Sequence, residues 1–233
     1  MISAHASLPA AVLAGGVFLL AWYAVELAAV RLASRGLGRW PDWPWLASLL
    51  ALLGAVAALV GGIVAGAWVP SDVGLTAIRW AALASWLPGY TAGMALWVAV
   101  LYGAALAKKG AGSAPEGFVP RVARLLRDEA LLAAMRGLFT PLLGLYWGSW
   151  VAAAGRIAIN WWFPAARNAR LNERSRVECL LLRALDLVST VVIIMTGSVW
   201  PALAARLAVY VAAMLARAIV SGLAARGSVD RNA

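Results

Sequence analysis

The feature that most constrains this chain is a succession of long apolar runs that carry no charged residue. Residues 8–25, 45–69 and 80–107 form three such runs. A helix of about 20 apolar residues crosses the hydrocarbon core of a bilayer, so each of these runs predicts one membrane span. Two further apolar runs, 187–205 and 207–225, are separated by Arg206 and predict two more spans, the second of which contains Arg217. Gly197 and Pro201 discourage one straight helix there.

Composition gives the same class of protein. Of 233 residues, 64% are hydrophobic and 13% are charged, which is typical of polytopic membrane proteins. We therefore predict an all-α integral membrane bundle in which residues 1–233 form a single membrane-embedded domain. The chain has one cysteine, Cys179, and one histidine, His5, so zinc, haem and iron-sulfur ligation have few ligands and no metal ligands are predicted.

The positions of the cationic residues along the chain explain the net charge of +10. The cations lie at the ends of apolar runs, where they meet anionic lipid, so we predict the lipid bilayer as the partner and no nucleic acid. Lysine and arginine are enriched in the cytoplasmic loops of membrane proteins. Three cations lie in 31–44, six in 108–136 and four in 163–178. One crossing by residues 137–162 would put the last four outside.

This conflict disappears if residues 137–166 enter and leave the membrane on the same side. Pro141, Gly144, Gly148 and Gly155 allow an irregular backbone in that segment. We therefore predict about five spans plus one re-entrant segment, in a multi-pass protein of the inner (cytoplasmic) membrane. Six plain spans remain the alternative. Before the segment, apolar residues at helical spacing predict an amphipathic helix near 119–136 at the cytoplasmic surface.

Polar residues concentrate around this segment. Arg156 and Asn160 are four apart and share one helical face, and Arg183 and Asp186 are three apart. Guanidinium groups at a dry membrane edge suit phosphate or carboxylate, and a carboxylate such as Asp186 can hold Mg2+ or act on a proton. The alternative is a lipid-facing basic loop with Arg183 paired to Asp186. Between the two pairs lies a loop rich in Arg and Asn, with Arg167, Asn168, Arg170, Asn172, Glu173, Arg174 and Arg176.

Another polar set lies in the last apolar run. Arg206, Tyr210 and Arg217 fall on one side of a helix, because eleven residues make about three turns. They face either a polar cavity or the membrane interface.

The segments FTPLLGLYWGSWVAAAGRIAIN and ARLNERSRVECLLLRALDLV resemble the core of the membrane-bound adenosylcobinamide-phosphate synthases of cobalamin biosynthesis, the CobD/CbiB family, and its AmpE-type relatives. In that family an APLFW-like start leads to a YRxxN-like end, a YRNERY-like loop and a downstream RLDD. The resemblance covers about 50 residues. It places Arg156 and Asn160 near the YRxxN end, the run Asn172 to Arg174 on NER, and Asp186 on LDD.

This resemblance implies an ATP-dependent amide-forming synthase that joins aminopropanol phosphate to a corrinoid carboxylate. Arg156 and Arg174 would bind phosphate, and Asn160 and Asn172 would position the substrate. Glu173 and Asp186 would serve as catalytic residues, at Mg2+ or in proton transfer, with ATP as the second substrate.

Departures from the family pattern point to a different class of function. Arg136 stands where the family has an acid, and the second Asp of LDD is Leu187. The sequence is therefore also consistent with a divergent, inactive member, or with a non-catalytic membrane subunit or scaffold that packs with partner membrane helices. A small-molecule carrier is a weaker third reading, because no internal repeat is visible.

Overall fold

The computed structural model describes residues 13, 16–17, 20, 44–64, 66, 68–75, 85–109, 118–162 and 173–229. These residues are almost all helical and contain no strand, so the predicted all-α class is confirmed. The predicted first span, residues 8–30, lies almost entirely outside them. The helices are α1 (Pro44–Val64), α2 (Leu87–Lys109), α3 (Phe118–Trp162), α4 (Glu173–Thr196) and α5 (Val199–Val229).

Helix α1 ends earlier than the apolar run that encodes it. Gly66 has a φ of 72°, which lies in the left-handed region that glycine tolerates, and the chain then folds back on the helix end. The Trp68 amide donates to the Gly62 carbonyl over 3.3 Å, and the Trp68 ring occupies the space that a Cβ at Gly62 would need. The small-residue GIVAG stretch, residues 62–66, therefore accommodates a side chain of its own chain.

Helix α2 begins at Leu87, so Pro88 lies in its first turn and does not kink the helix. A proline is tolerated in the first turn because the amide that it lacks would have no intrahelical partner there. Helix α2 then continues without interruption to Lys109.

Helix α3 is broken at Gly144, which has φ 73° and ψ 170°. Beyond the break the chain folds back, because a Cβ at Gly148 would lie 2.8 Å from the Thr140 Cα and N atoms. In a straight helix those positions would be about 12 Å apart. The two parts of α3 therefore form a helical hairpin with a tight crossing beside its tip. Gly144 and Gly148 were two of four residues predicted to permit an irregular backbone here.

Helices α4 and α5 are separated by Gly197, with a φ of 70°, and Ser198. The predicted break at this point is confirmed. Helix α4 begins at Glu173, however, and not at the start of the uncharged run at Leu187. The charged residues from Glu173 to Asp186 are therefore helical, because Glu and Arg are good helix formers. Pro201 lies in the first turn of α5.

The packing of the chain divides it into two compact units, Met1–Thr76 with Pro115–Ala153, and Ala77–Ala114 with Ala154–Ala233. In unit 1, Trp68 and Val73 pack against Ala133 and Ala134, and a Cβ at Gly137 would lie 2.9 Å from the Trp68 and Val73 side chains. The predicted surface helix near 119–136 is helical as the first part of α3, and residues 131–137 are all buried.

In unit 2, helices α2, α4 and α5 pack on one another. Gly103 of α2 permits the close approach of α5, since a Cβ there would lie 3.6 Å from the Cβ of Ala216. The core of this unit includes the fully buried side chains Val188, Val192, Ile193, Val209 and Ala213.

Within the described residues, four helical segments are long and apolar enough to cross a membrane. They are Leu87–Lys108, Arg121–Ala158, Val177–Thr196 and Val199–Leu223. Length and composition alone define this set, and the second segment contains the break at Gly144.

Candidate functional site

The most concentrated polar feature of unit 2 is a cluster of three arginines around one carboxylate, which we call the Asp186 cluster. Asp186 has no exposed side-chain surface. Its Oδ1 atom lies 3.0 Å from Arg156 Nη1 and 2.8 Å from Arg206 Nη2, and its Oδ2 atom lies 3.0 Å from Arg183 Nη1. The cluster thus joins α3, α4 and α5 by ionic contacts.

Local helix geometry explains two of these contacts. Arg183 precedes Asp186 by three residues, so the two side chains are neighbours on the surface of α4. Asp186 comes eleven residues before Gly197 and Arg206 nine residues after it. At 1.5 Å per residue, both lie about 14–16 Å along their helices from the break, half the thickness of a hydrocarbon core. The α4–α5 hairpin therefore brings them to the same level.

The environment of Asp186 determines what the carboxylate can do. Both of its oxygens accept from guanidinium groups, and the side chains of Arg156 and Arg206 are 4% and 0% exposed. Charges removed from water are tolerated when they are paired and hydrogen-bonded, and here the pairing involves three helices. In this arrangement Asp186 is an acceptor within the protein interior, and its side chain has no surface exposed to solvent.

Hydroxyl side chains continue the polar face of α4 from Asp186 to the α4–α5 break. Thr190 donates to the Asp186 carbonyl over 2.8 Å, and Thr196 donates to the Val192 carbonyl over 2.7 Å. The Ser198 amide donates to the Thr196 hydroxyl over 3.3 Å. Ser189 is also fully buried. Threonine and serine bonded to their own helix can be buried in a membrane bundle at little cost.

A second ionic contact joins α4 and α5 further from the break. Arg217 Nη1 lies 3.1 Å from Glu178 Oε1, and the Glu178 side chain is 56% exposed. The buried Tyr102 of α2 and Tyr210 of α5 lie near this pair. Arg206, Tyr210 and Arg217, which the sequence placed on one side of the last helix, thus face the interior of unit 2.

Unit 1 has a buried ion pair of its own. Arg136 Nη2 lies 2.9 Å from Glu129 Oε1, and both side chains are almost completely buried. They are seven residues apart, which is two helical turns. Next to Glu129, Asp128 contacts the Arg127 guanidinium at 3.1 Å. Arg136 therefore has a packing role in the first part of α3.

The structure brings together two of the six residues predicted to form the site, Arg156 and Asp186. The side chains of Asn160, Glu173 and Arg174 lie outside the described residues, as does Asn172. Among the described residues, no group of three or more His, Cys, Asp or Glu side chains could hold a metal ion. Sequence reasoning missed the Arg206–Asp186 contact, although the similar distances of both residues from Gly197 indicate it.

These observations define the class of protein: a helical protein with four helical segments long and apolar enough to be membrane spans, and with a buried arginine–aspartate cluster in one of its units. Comparisons of the chain with protein-family models, with curated proteins and with solved structures gave no match. The resemblance to the cobalamin synthases therefore stays a prediction from sequence motifs.

Proposed function

We propose that this protein is a non-catalytic membrane subunit or scaffold, in which the Asp186 cluster holds helices of unit 2 together. One observation carries the proposal: both oxygens of the buried Asp186 carboxylate are bound by arginines of the chain itself, at 2.8 to 3.0 Å. A carboxylate that binds Mg2+ or transfers a proton needs an oxygen directed at the metal or the substrate. A carboxylate that fixes helix positions needs the arrangement described for Asp186.

The competing proposal is the amide-forming synthase that the sequence motifs suggest. One observation favours it, since Arg156 and Asp186 are distant in sequence and meet in the fold. In that function, an incoming phosphate would take Arg156 from Asp186, and the carboxylate would become available to Mg2+. Charged groups inside a membrane bundle cost free energy, and each of the two proposals explains why the chain carries them.

Ligand binding separates the two proposals. The purified full chain is titrated with ATP and Mg2+, and separately with a corrinoid carboxylate, by calorimetry. The scaffold proposal expects no saturable heat with either ligand. Saturable binding that is lost in Asp186→Asn and in Glu173→Ala, and kept in the control Glu178→Gln, would replace it with the synthase. Glu178 is a suitable control because it lies on the same helix and is 56% exposed.

We also propose a topology in which the hairpin within α3 returns to the side from which it enters, in a multi-pass protein of the cytoplasmic membrane. Its uncharged part, residues 137–155, is divided by Gly144 into arms of seven and eleven residues. These arms measure about 10 and 16 Å, each less than a 30 Å hydrocarbon core. Supporting this, the tip is apolar and exposed at Leu142, Leu143, Tyr146 and Trp147.

This topology keeps the basic loops on either side of the hairpin in the cytoplasm, as the positive-inside rule requires. Single cysteines at positions 108, 170 and 228, introduced after replacement of Cys179, are labelled with a membrane-impermeant maleimide in intact and permeabilised cells. We expect labelling of all three only after permeabilisation. Labelling of position 170 in intact cells would show that the chain crosses the membrane between 108 and 170.

A further inference from the structure

Arg183 is the arginine of the Asp186 cluster that reaches the protein surface. Its side chain is 23% exposed, whereas those of Arg156 and Arg206 are 4% and 0% exposed. Within the described residues, the Arg183 guanidinium has one ionic contact, from Nη1 to Asp186 Oδ2. Its Nη2 and Nε atoms carry donors that this contact does not use.

The contact with Asp186 fixes the depth of the Arg183 guanidinium. The apolar segment of α4 begins at Val177, so the Cα atoms of Arg183 and Asp186 lie about 9 and 14 Å inside it. A hydrocarbon core is about 30 Å thick, so the guanidinium is held well inside it, away from the lipid headgroups. Charged side chains at this depth pair with other protein groups, because lipid chains offer no hydrogen-bond acceptor.

This part of unit 2 has fewer carboxylates than arginines. Among residues 154–217, the side chains that the structure describes include four arginines and two carboxylates, Asp186 and Glu178. Asp186 is shared by three guanidinium groups, and Glu178 contacts Arg217 at 3.1 Å. These side chains together carry two more positive than negative charges. A negative charge brought to the exposed edge of Arg183 would complement them.

The exposed side of α4 around Arg183 has the spacing of a helix-packing seam. Leu180 and Leu187 lie on either side of Arg183 and are 65% and 42% exposed. Ala184 and Val191 continue the same face and are partly buried. Apolar residues that recur every three to four positions are typical of a face along which a second helix packs. A helix that packs on this face comes within reach of Arg183.

We propose that this face of α4 binds a membrane helix of another protein, and that the partner helix carries an aspartate or glutamate that pairs with Arg183. The guanidinium is planar, so Nη1 stays on Asp186 while Nη2 and Nε offer parallel N–H donors to the partner carboxylate. A symmetric contact between two copies of this chain would place Arg183 opposite Arg183, and like charges repel. The proposal rests on the scaffold function proposed above and names the chemistry of its partner.

The test uses a synthetic membrane helix as the partner, a leucine–alanine peptide of about 24 residues with lysines at its ends and one aspartate at its centre. Two matched peptides have leucine or lysine in place of the aspartate. The full chain carries a donor dye on a cysteine at position 228, after replacement of Cys179. Energy transfer to acceptor-labelled peptide in phosphatidylcholine vesicles measures binding. We expect the aspartate peptide to bind about 5–30-fold more tightly than the leucine peptide, and the lysine peptide to bind most weakly.

Arg183→Gln should remove most of the preference for the aspartate peptide, and Arg183→Lys, which keeps the charge, should retain part of it. Arg217→Gln is the matched control. It removes the same charge from the same unit, but the Arg217 side chain is 12% exposed and is held by Glu178. The preference for the aspartate peptide should persist in this variant.

Disulfide cross-linking locates the contact while Arg183 is kept, so this test does not depend on the folding of Arg183→Gln. A cysteine in the peptide, one turn from the aspartate, should cross-link to Leu187→Cys faster than to Ala208→Cys. Ala208 is a suitable control because it is exposed on α5. It lies eleven residues after Gly197, and Leu187 lies ten residues before it, so both are at a similar depth.

Three results would overturn the proposal: equal binding of the aspartate and leucine peptides, an unchanged aspartate preference in Arg183→Gln, or equal cross-linking at positions 187 and 208. Energy transfer between donor- and acceptor-labelled copies of the chain, measured without peptide and lost in Arg183→Gln, would assign this face to a second copy and overturn the choice of partner. The scaffold proposal fails separately, through saturable binding of ATP or corrinoid.

Discussion

Replacing Asp186 by Asn is the most informative perturbation of this protein. The substitution keeps the size of the side chain and removes its charge, so any change reports on the ionic contacts and not on a cavity. In the wild type, Asp186 Oδ1 contacts two guanidinium groups, at 2.8 and 3.0 Å, and Oδ2 contacts a third at 3.0 Å. The substitution replaces this carboxylate by an amide. The amide nitrogen is a donor, and at either position it faces a guanidinium that also donates.

The expected loss follows from burial. A pair of unit charges about 4 Å apart is worth roughly 4 kcal/mol at an effective dielectric constant of 20, and part of this offsets the desolvation of the charges. Removing one partner of a buried pair typically costs about 3–5 kcal/mol, because the remaining charge stays buried. We expect Asp186→Asn to lower the free energy of unfolding by about this amount. For a protein stabilised by about 5–15 kcal/mol the loss is a large fraction.

Two variants on the same helix calibrate this value. Thr190→Val removes one buried hydroxyl that donates to the Asp186 carbonyl, and should cost about 1 kcal/mol. Glu178→Gln removes an exposed partner of Arg217 and should cost less than about 1 kcal/mol. The assay is reversible unfolding in mixed micelles at increasing SDS, followed by tryptophan fluorescence, with all variants measured in the same lipid.

We predict that the loss of unfolding free energy decreases in the order Asp186→Asn, Thr190→Val, Glu178→Gln. The loss for the first variant should exceed that for the second by at least about 2 kcal/mol. Combining Asp186→Asn with Arg206→Met should cost less than the sum of the single changes, since the second change removes a buried cation that the first leaves behind. A cost for Asp186→Asn no larger than that of Thr190→Val would refute a structural role for the cluster.

The remaining predictions concern glycines. Gly144→Ala should destabilise the hairpin of α3 by about 1–3 kcal/mol, measured by the same unfolding assay, because φ 73° and ψ 170° is a backbone region that alanine avoids. Gly148→Ala should be at least as costly and should expose the tip to limited proteolysis, since the new Cβ would lie 2.8 Å from backbone atoms of Thr140, which cannot move aside. Gly93→Ala in α2 is the matched control: nothing lies within 4 Å of the new Cβ, and the gain in helix propensity is up to about 1 kcal/mol, so this variant should unfold no earlier than the wild type.

Much of the local structure follows from the sequence. The lengths of the apolar runs are enough to predict the helical class and the membrane character. A backbone that is not in contact with water must satisfy its hydrogen bonds internally. The breaks at Gly197 and near Gly144 are expected from glycines at these points. The Arg183–Asp186 contact is likewise readable from a spacing of three residues on a helix. The start of α4 was misjudged because charge was taken as a sign of a loop, whereas Glu and Arg are good helix formers.

Tertiary structure decided the parts of the site that involve different helices. Arg156 and Arg206 reach one oxygen of Asp186 from thirty residues before it and twenty after it. Gly62 receives the ring of Trp68, which follows the end of α1. The sequence by itself determined the helical class and the glycine breaks near Gly144 and Gly197, since these depend on local backbone preferences and on solvent. Which side chains meet depends on the rotation and crossing of packed helices, and only the folded chain fixes these.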